Sequence, residues 1–87
     1  MNFTTDSSVT NVVWVHQQLI QAFPGALVTV TDTRKDDQHL SVHIITALFK
    51  DVSLIQRHRQ VYSALQGETG YRVHALSLCT QTPEEAS

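Results

Sequence analysis

The residues best suited to bind a metal ion in this chain of 87 residues are five histidines and a single cysteine, Cys79. His39 and His43 stand four positions apart, a spacing that on a helix would suggest two ligands for one ion. Their β-branched neighbours predict a strand, where four residues span about 13 Å, too far for a shared ion. We therefore interpret His43 as structural. One cysteine also excludes an intramolecular disulfide and a zinc site built on two cysteines of this chain.

The sequence contains no recognisable catalytic arrangement. Neither a Ser-His-Asp or Cys-His pattern nor a phosphate-binding loop is apparent. Asp36 and Asp37 are neighbours, and we interpret them as solvated loop residues rather than as a general acid and base. A domain of this size has little room for a deep pocket. We therefore expect a protein that is not an enzyme.

The composition is that of a small globular protein, with 41% hydrophobic and 16% charged residues. The formal net charge is −2, whereas a dedicated nucleic-acid binder usually carries a clear positive excess. No stretch approaches the roughly 20 apolar residues that cross a membrane, and the first residues do not form a signal-peptide pattern. With its lone cysteine, the chain is expected to be a cytoplasmic protein in a reducing environment.

Apolar periodicity predicts a first helix that ends at Pro24-Gly25. We expect its capping residue among the polar side chains of residues 6–8. The residues that recur at spacings of three to four form its predicted buried stripe: Val9, Val12, Val13, His16, Leu19, Ile20 and Phe23.

A second helix is predicted over residues 52–65. Arg57 and Arg59 fall off its apolar stripe, so we expect both to face solvent, where arginines are frequent contacts to a partner. His58 is expected to pack inward with Tyr62. The predicted stripe consists of Leu54, Ile55, His58, Val61, Tyr62 and Leu65.

Three strands are predicted over residues 26–31, 40–48 and 71–78 because these segments are rich in β-branched residues or alternate in polarity. Thr82, followed by a proline and two acids, predicts the start of a short last helix. The second strand should present one apolar and one partly polar face, as in a sheet with one solvated side. Its apolar face carries Leu40, Val42 and Ile44, and the other face carries Ser41, His43 and Ile45.

This order of elements predicts an α+β fold. The expected architecture is a two-layer α-β-β-α-β-(α) domain whose three-stranded mixed sheet carries the helices on one face. The first two strands are expected to pair as an antiparallel hairpin, and the third follows a helical crossover. Residues 1–7 are expected to form a flexible N-terminus, and residues 8–87 a single domain.

Three short blocks of the sequence resemble the BolA family. Phe49 followed by residues 54–62 (LIQRHRQVY) is similar to the family's phenylalanine, turn and Arg-His-Arg helix leading to Val-Tyr. Residues 73–78 (VHALSL) with the later Thr-Pro-Glu, and the His-Leu at residue 39, resemble two further family blocks. The resemblance covers roughly residues 26 to 85. Asp51 stands where the family usually has glycine. Aspartate tolerates left-handed backbone better than most other residues, so the turn can survive there at the cost of some strain.

Other departures from the family pattern affect a metal site and the last helix. The loop before the second strand is short and contains no cysteine. Leu40 replaces an aromatic residue, and Ala86 stands where many members have tryptophan. The resemblance implies a fold similar to the class II KH domain. The Gly-x-x-Gly spacing at residues 67–70 precedes the third strand instead of occupying the usual helix junction.

The resemblance also implies a partner and a cargo. BolA proteins pair with monothiol glutaredoxins, and the two chains can share a 2Fe–2S cluster in iron–sulfur trafficking or in iron and redox regulation. The glutaredoxin contributes a cysteine and glutathione, and the BolA chain contributes two ligands. His74 corresponds to the family's histidine ligand. His39 is the candidate second ligand, with the acids Asp36 and Asp37 and the thiol of Cys79 as alternatives.

This reading makes the isolated chain a monomer without a stable cluster, and a heterodimer when the glutaredoxin is present. The alternative is a DNA-binding transcriptional regulator that docks the helix bearing Arg57 and Arg59 on a duplex. Six basic residues and a net charge of −2 argue against DNA. A third interpretation is a scaffold that binds a partner and holds no cluster.

Overall fold

The computed structural model of the chain describes residues 10–65, 73 and 75–87. The predicted flexible N-terminus, the Gly67–Gly70 spacing and His74 lie outside the described residues. The helices are α1 (Asn11–Ala22), α2 (Leu54–Ala64) and α3 (Pro83–Ala86), with a short 3-10 helix over Ala47–Phe49. The strands are β1 (Leu27–Asp32), β2 (His39–Ile45) and β3 (Ala75–Gln81).

The strands form one mixed sheet in the order β1-β2-β3. β1 pairs with β2 antiparallel, as expected for a hairpin, and β3 pairs with β2 in parallel after the α2 crossover. The predicted fold class is therefore confirmed. Among the described residues, none of the helices combines the length and the apolar composition that a transmembrane span requires.

The core lies between the helices and one face of the sheet. The apolar face of β2 is buried there, as its alternation predicts, while the opposite face carries half-buried His39, Ser41 and His43. The rings of Phe23 and Phe49 meet edge to face with centroids 5.3 Å apart. The buried apolar core includes Val15, Leu19, Phe23, Leu40, Val42, Ile44, Phe49, Val61 and Leu65.

Local capping explains two boundaries that the sequence did not predict. α1 begins after Thr10, whose side chain accepts a hydrogen bond from the amide of Val13, so the cap is not among residues 6–8. β2 ends at Ile45 rather than at residue 48 because Thr46 accepts from the amide of Leu48 and starts the 3-10 helix. The cap by Thr82 with Pro83 at the start of α3 is confirmed.

β3 continues beyond its predicted end at residue 78. It runs to Gln81, which is in register with Ile45, and the Gln81 carbonyl accepts a hydrogen bond from the amide of Thr46. Asp51 has a φ of 62°, so the turn at this position uses the left-handed backbone that aspartate tolerates.

The predicted buried stripes of both long helices are partly wrong. In α1, Val13 and Ile20 are exposed, whereas Asn11, Val15 and Leu19 are buried. In α2 the exposed fractions of Leu54, Ile55 and Tyr62 are 63%, 61% and 40%. The apolar residues of α2 occupy about half of its circumference, and the sheet covers only the side that carries residues 57, 61 and 65. The expectation that His58 packs inward with Tyr62 therefore fails for Tyr62.

Candidate functional site

The loop between β1 and β2 is organised around Asp32, the last residue of β1. Its carboxylate accepts hydrogen bonds from the amides of Arg34 at 3.3 Å, Asp36 at 3.2 Å and Asp37 at 2.8 Å. Lys35 and Asp37 have positive φ angles of 59° and 60°, which turn the chain back toward β2. A carboxylate that accepts hydrogen bonds from several backbone amides stabilises one conformation of such a loop.

Asp37 fastens this loop to the N-terminus of α1. Its two carboxylate oxygens accept from the amides of Asn11 at 2.7 Å and Val12 at 3.1 Å. The side-chain amide of Asn11 donates in return to the carbonyl of Asp37 at 2.8 Å. An acid at the first turn also interacts favourably with the positive end of the helix dipole. Both carboxylate oxygens of this alternative ligand are therefore already used within the fold.

Asp36 binds the backbone with one oxygen and His39 with the other. Oδ1 accepts from the amides of Gln38 at 2.9 Å and His39 at 3.1 Å, and Oδ2 lies 2.7 Å from Nδ1 of His39. The hydrogen bond from the Gln38 amide is the largest cause that lowers the pKa of Asp36 to about 2. Because an ionised carboxylate only accepts, Nδ1 of a neutral His39 carries the proton, and Nε2 carries the ring's lone pair.

His39 opens β2 at the rim of the solvated sheet face. Its side chain is 22% exposed, and its Cα is in register with that of Ala75. The amide of Ala75 donates to the carbonyl of Gln38 at 2.9 Å, which ties the start of β3 to the end of the loop. A shallow cavity of about 190 Å³ opens here and is lined by Thr33, Arg34, His39, Leu40, Ala75 and Ser77.

His74 directly precedes Ala75 in the chain but lies outside the described residues. Its assignment as a cluster ligand stays a prediction. Among the described residues, no group of three or more His, Cys, Asp or Glu side chains is arranged to hold a metal ion.

His43 and Cys79 lie further along the same face of the sheet. Nε2 of His43 is 2.6 Å from Oε1 of Gln81, which fits the interpretation of His43 as structural. Cys79 is in register with His43 and is exposed, not buried as a lone cysteine most often is. Four residues of strand separate Cys79 from Ala75, about 13 Å along β3. Cys79 is thus the most distant of the alternative ligands from His39.

Arg57 does not face solvent, so that expectation is wrong. Its side chain is buried, and Nε donates to the carbonyl of Val52 at 2.8 Å while Nη1 donates to that of Thr80 at 3.1 Å. The guanidinium also forms a two-pronged ion pair with Glu85 at 2.7 and 3.2 Å and lies 5.5 Å from the centre of the Phe49 ring. Through these contacts Arg57 stabilises the packing of α2 against α3 and β3.

Arg59 is exposed, as expected.

Two side-chain pairings were not predicted from the sequence. The first is the pairing of Asp36 with His39, for which the spacing of three residues across a loop was the available signal. The second is the link between Arg57 and Glu85, which are 28 positions apart, so no local pattern marks it.

The fold defines the chain as a two-layer α+β domain with a mixed three-stranded sheet. A sequence profile described as BolA-like protein matches residues 8–85, so the chain belongs to this family. The solved structure of BolA1 from Arabidopsis thaliana superposes with a TM-score of 0.79 at 27% identity, covering 88% of this chain and 96% of that one.

Two curated relatives share part of their length with this chain. The DNA-binding transcriptional regulator BolA of Haemophilus influenzae is 38% identical over 52 residues, 60% of this chain and 50% of that protein. SufE-like protein 1, chloroplastic/mitochondrial, of Arabidopsis thaliana is 39% identical over 49 residues, 56% of this chain and 13% of that protein. The aligned segment thus spans half or less of these relatives.

Proposed function

We propose that this BolA-like chain is an adaptor, not an enzyme, that pairs with a monothiol glutaredoxin and shares a 2Fe–2S cluster with it. His74 and His39 are the two ligands of this chain in the proposal. The observation that carries it is the position of His39, opposite the residue that follows His74 and bonded through Nδ1 to Asp36. Histidines that bind metals commonly donate their other ring N–H to a carboxylate in this way.

The chemistry of the available side chains supports His39 over the alternatives. Imidazole is a known ligand of two-iron clusters, whereas carboxylates are harder donors that suit such clusters less well. Asp37 already binds the first turn of α1, and Asp36 binds the loop backbone and His39. Cys79 lies about four residues along β3 from the position opposite His39.

In this proposal the cluster is cargo held between two proteins. The glutaredoxin contributes a cysteine and glutathione, and this chain contributes the imidazole nitrogens of His39 and His74. When bound, the cluster would supply iron atoms that these nitrogens coordinate. The complex would then deliver the cluster to a recipient protein. The adaptor positions its ligands and does no chemistry on a substrate.

The surface of α2 supports a protein partner. Leu54, Ile55 and Tyr62 are exposed on its flank, and Leu48 of the 3-10 helix is 56% exposed. Exposed large apolar and aromatic side chains are frequent at protein interfaces. Arg59 lies on the same helix and is a candidate polar contact at the rim of such an interface.

The test is anaerobic reconstitution of this chain with a monothiol glutaredoxin, iron, sulfide and glutathione, followed by visible circular dichroism. We expect a spectrum that differs from that of the glutaredoxin homodimer, and its loss in His74→Ala and in His39→Ala. His43→Ala is the matched control, because this histidine lies on the same strand and should leave the spectrum unchanged. A homodimer spectrum with the unaltered chain would refute the proposal.

The second candidate function is DNA binding, which the name of the Haemophilus influenzae relative suggests. Within the described residues, Glu85 neutralises Arg57, and Arg59 is the one arginine that α2 exposes, so this helix has little positive charge to bind phosphates. The test is the affinity for duplex DNA across a salt series, since a genuine site should weaken steeply as salt rises. Binding in the micromolar range or tighter with that slope, lost in Arg59→Ala, would favour a regulator.

A further inference from the structure

The Asp36–His39 pair is held more firmly than an exposed ion pair usually is. Asp36 uses Oδ1 for two backbone amides, those of Gln38 and of His39 itself, and directs Oδ2 at Nδ1 of the ring, 2.7 Å away. The carboxylate therefore cannot turn away from the histidine without breaking backbone hydrogen bonds.

The loop that carries Asp36 is itself braced at both ends. Asp32 binds the amides of Asp36 and Asp37 from the end of β1, and Asp37 binds the amides of Asn11 and Val12 at the start of α1. Each of the three acids thus has a separate set of donors, and only Asp36 points its second oxygen at a candidate ligand. A side chain fixed by its surroundings can set the orientation and the tautomer of a metal-binding histidine.

We propose that Asp36 is the positioning residue of His39: it holds the proton on Nδ1 and so keeps Nε2 as the nitrogen presented to iron. This inference rests on the proposed function and deepens it, because it assigns the atom of His39 that meets the shared cluster. It also assigns a role to a loop residue that is not itself a ligand.

Replacing Asp36 by asparagine reverses the polarity of the contact with His39. The amide oxygen can keep the backbone hydrogen bonds that Oδ1 accepts, while the NH2 group takes the place of Oδ2. An NH2 group donates, so Nδ1 would have to accept, and the proton of a neutral ring would move to Nε2. Nε2 would then lack the lone pair that binds iron, although the loop keeps most of its hydrogen bonds.

The first experiment reads the tautomer without any cluster. The isolated chain is labelled with 15N-histidine and examined by NMR at about pH 8.5, above the ordinary histidine pKa, so that the rings are neutral. His39→Ala assigns the His39 signals. We expect the Nδ1–H form in the unaltered chain, the Nε2–H form in Asp36→Asn, and a mixture in Asp36→Ala. Asp51→Asn, a matched change in another turn, should leave His39 as it is.

The second experiment measures the glutaredoxin complex by visible circular dichroism during titration with a competing iron chelator. Asp36→Asn should lower the stability of the shared cluster by about 10- to 100-fold, the usual effect of losing such a supporting contact. Asp51→Asn should not. A purely structural role of Asp36 would change thermal stability and leave the tautomer as it is.

The outcomes separate this inference from the proposed function. An unchanged tautomer in both Asp36 variants overturns it. A reversed tautomer with a cluster of unaltered stability also overturns the inference about Asp36, but it leaves the adaptor function intact. If the unaltered chain forms no distinct complex spectrum, the adaptor function fails together with the inference, whatever the NMR result. A reversed tautomer with a weakened cluster supports both.

Discussion

Two carboxylates of this molecule each hold a basic side chain, but they do so in different surroundings. Asp36 and His39 are three residues apart at the rim of the sheet, with side chains 39% and 22% exposed. Glu85 and Arg57 join α3 to α2 across 28 positions, and the arginine side chain is only 6% exposed. The first pair leaves its histidine partly exposed, whereas the second encloses its arginine and ties α3 to the core. The same kind of contact thus supports a proposed ligand in one place and the stability of the fold in the other.

The largest loss of stability is expected from Arg57→Met. This change keeps an apolar stem over Phe49 but removes the donors to the carbonyls of Val52 and Thr80 and to Glu85. From the usual cost of losing buried hydrogen bonds, we expect the Tm to fall on the order of 10 °C. Arg59→Met is the matched control on the exposed side of α2 and should shift the Tm by no more than about 2 °C. Equal shifts would show that the buried contacts of Arg57 add no more to stability than an exposed arginine does.

A smaller effect is expected from Glu85→Gln, with a characteristic dependence on pH. The hydrogen bond from Arg57 is the largest cause that lowers the pKa of Glu85 from its ordinary 4.5 to about 2. The unfolded chain therefore binds more protons in this interval, so stability rises with pH there. The contribution is complete above pH 4.5 and is lost as the pH falls toward 2.

Thermal unfolding between pH 2 and 7 checks this prediction. The unaltered chain should lose stability on acidification through this window, and Glu85→Gln should be less stable at pH 7 with a flatter profile. Some acid dependence should persist in the variant, because the pKa of Asp36 is also lowered, to about 2. An identical profile in both proteins would mean that the pair contributes nothing to acid sensitivity.

A still smaller loss is expected from Asp37→Ala. The change removes both acceptors for the first amides of α1, and losing a helix cap of this kind typically costs about 1 kcal/mol. Urea unfolding at pH 7 measures it. Because Asp37 does not contact the ring of His39, the tautomer of His39 should stay as it is. A larger loss than in Arg57→Met would show that the loop, rather than the α2–α3 contact, dominates stability.

The smallest effect on stability is expected from His39→Ala. Its ring is bonded to an acid at the rim of the sheet, so we expect a change in unfolding free energy within about 0.5 kcal/mol, as for other surface positions. Urea unfolding beside His43→Ala provides the comparison. A large loss for His39→Ala would make this histidine a structural residue and would weaken its assignment as a ligand.

Residue patterns predicted the fold class and most of its elements. Alternation in β2 identified its buried face, and the Thr-Pro-Glu-Glu run identified the start of α3. The buried side of α2 was predicted less well. Leu54, Ile55 and Tyr62 are exposed, although they are large apolar or aromatic residues like the buried Val61 and Leu65. Periodicity measures the width of an apolar surface, and only the packing partner decides which part of it is buried.

The candidate site was also predicted only in part. The identities of His39 and His74 as candidate ligands came from short sequence blocks, and both ligand assignments are still predictions. The contact between Asp36 and His39 forms in a loop whose backbone is left-handed at Lys35 and Asp37. No local pattern in the sequence predicted this loop conformation. The burial of Arg57 could not be predicted from the sequence, because a charged residue off an apolar stripe normally faces water.

By itself, the sequence determined the order of the elements, the face of β2 that is buried and the family to which the chain belongs. These features depend on intrinsic preferences and on spacings of two to four residues, which a linear pattern contains. Only the tertiary structure decided that Arg57 is enclosed by Glu85, that Cys79 is exposed, and that Asp36 holds His39. The first two depend on segments far apart in the chain, and the third on a loop conformation that α1 and β1 together impose.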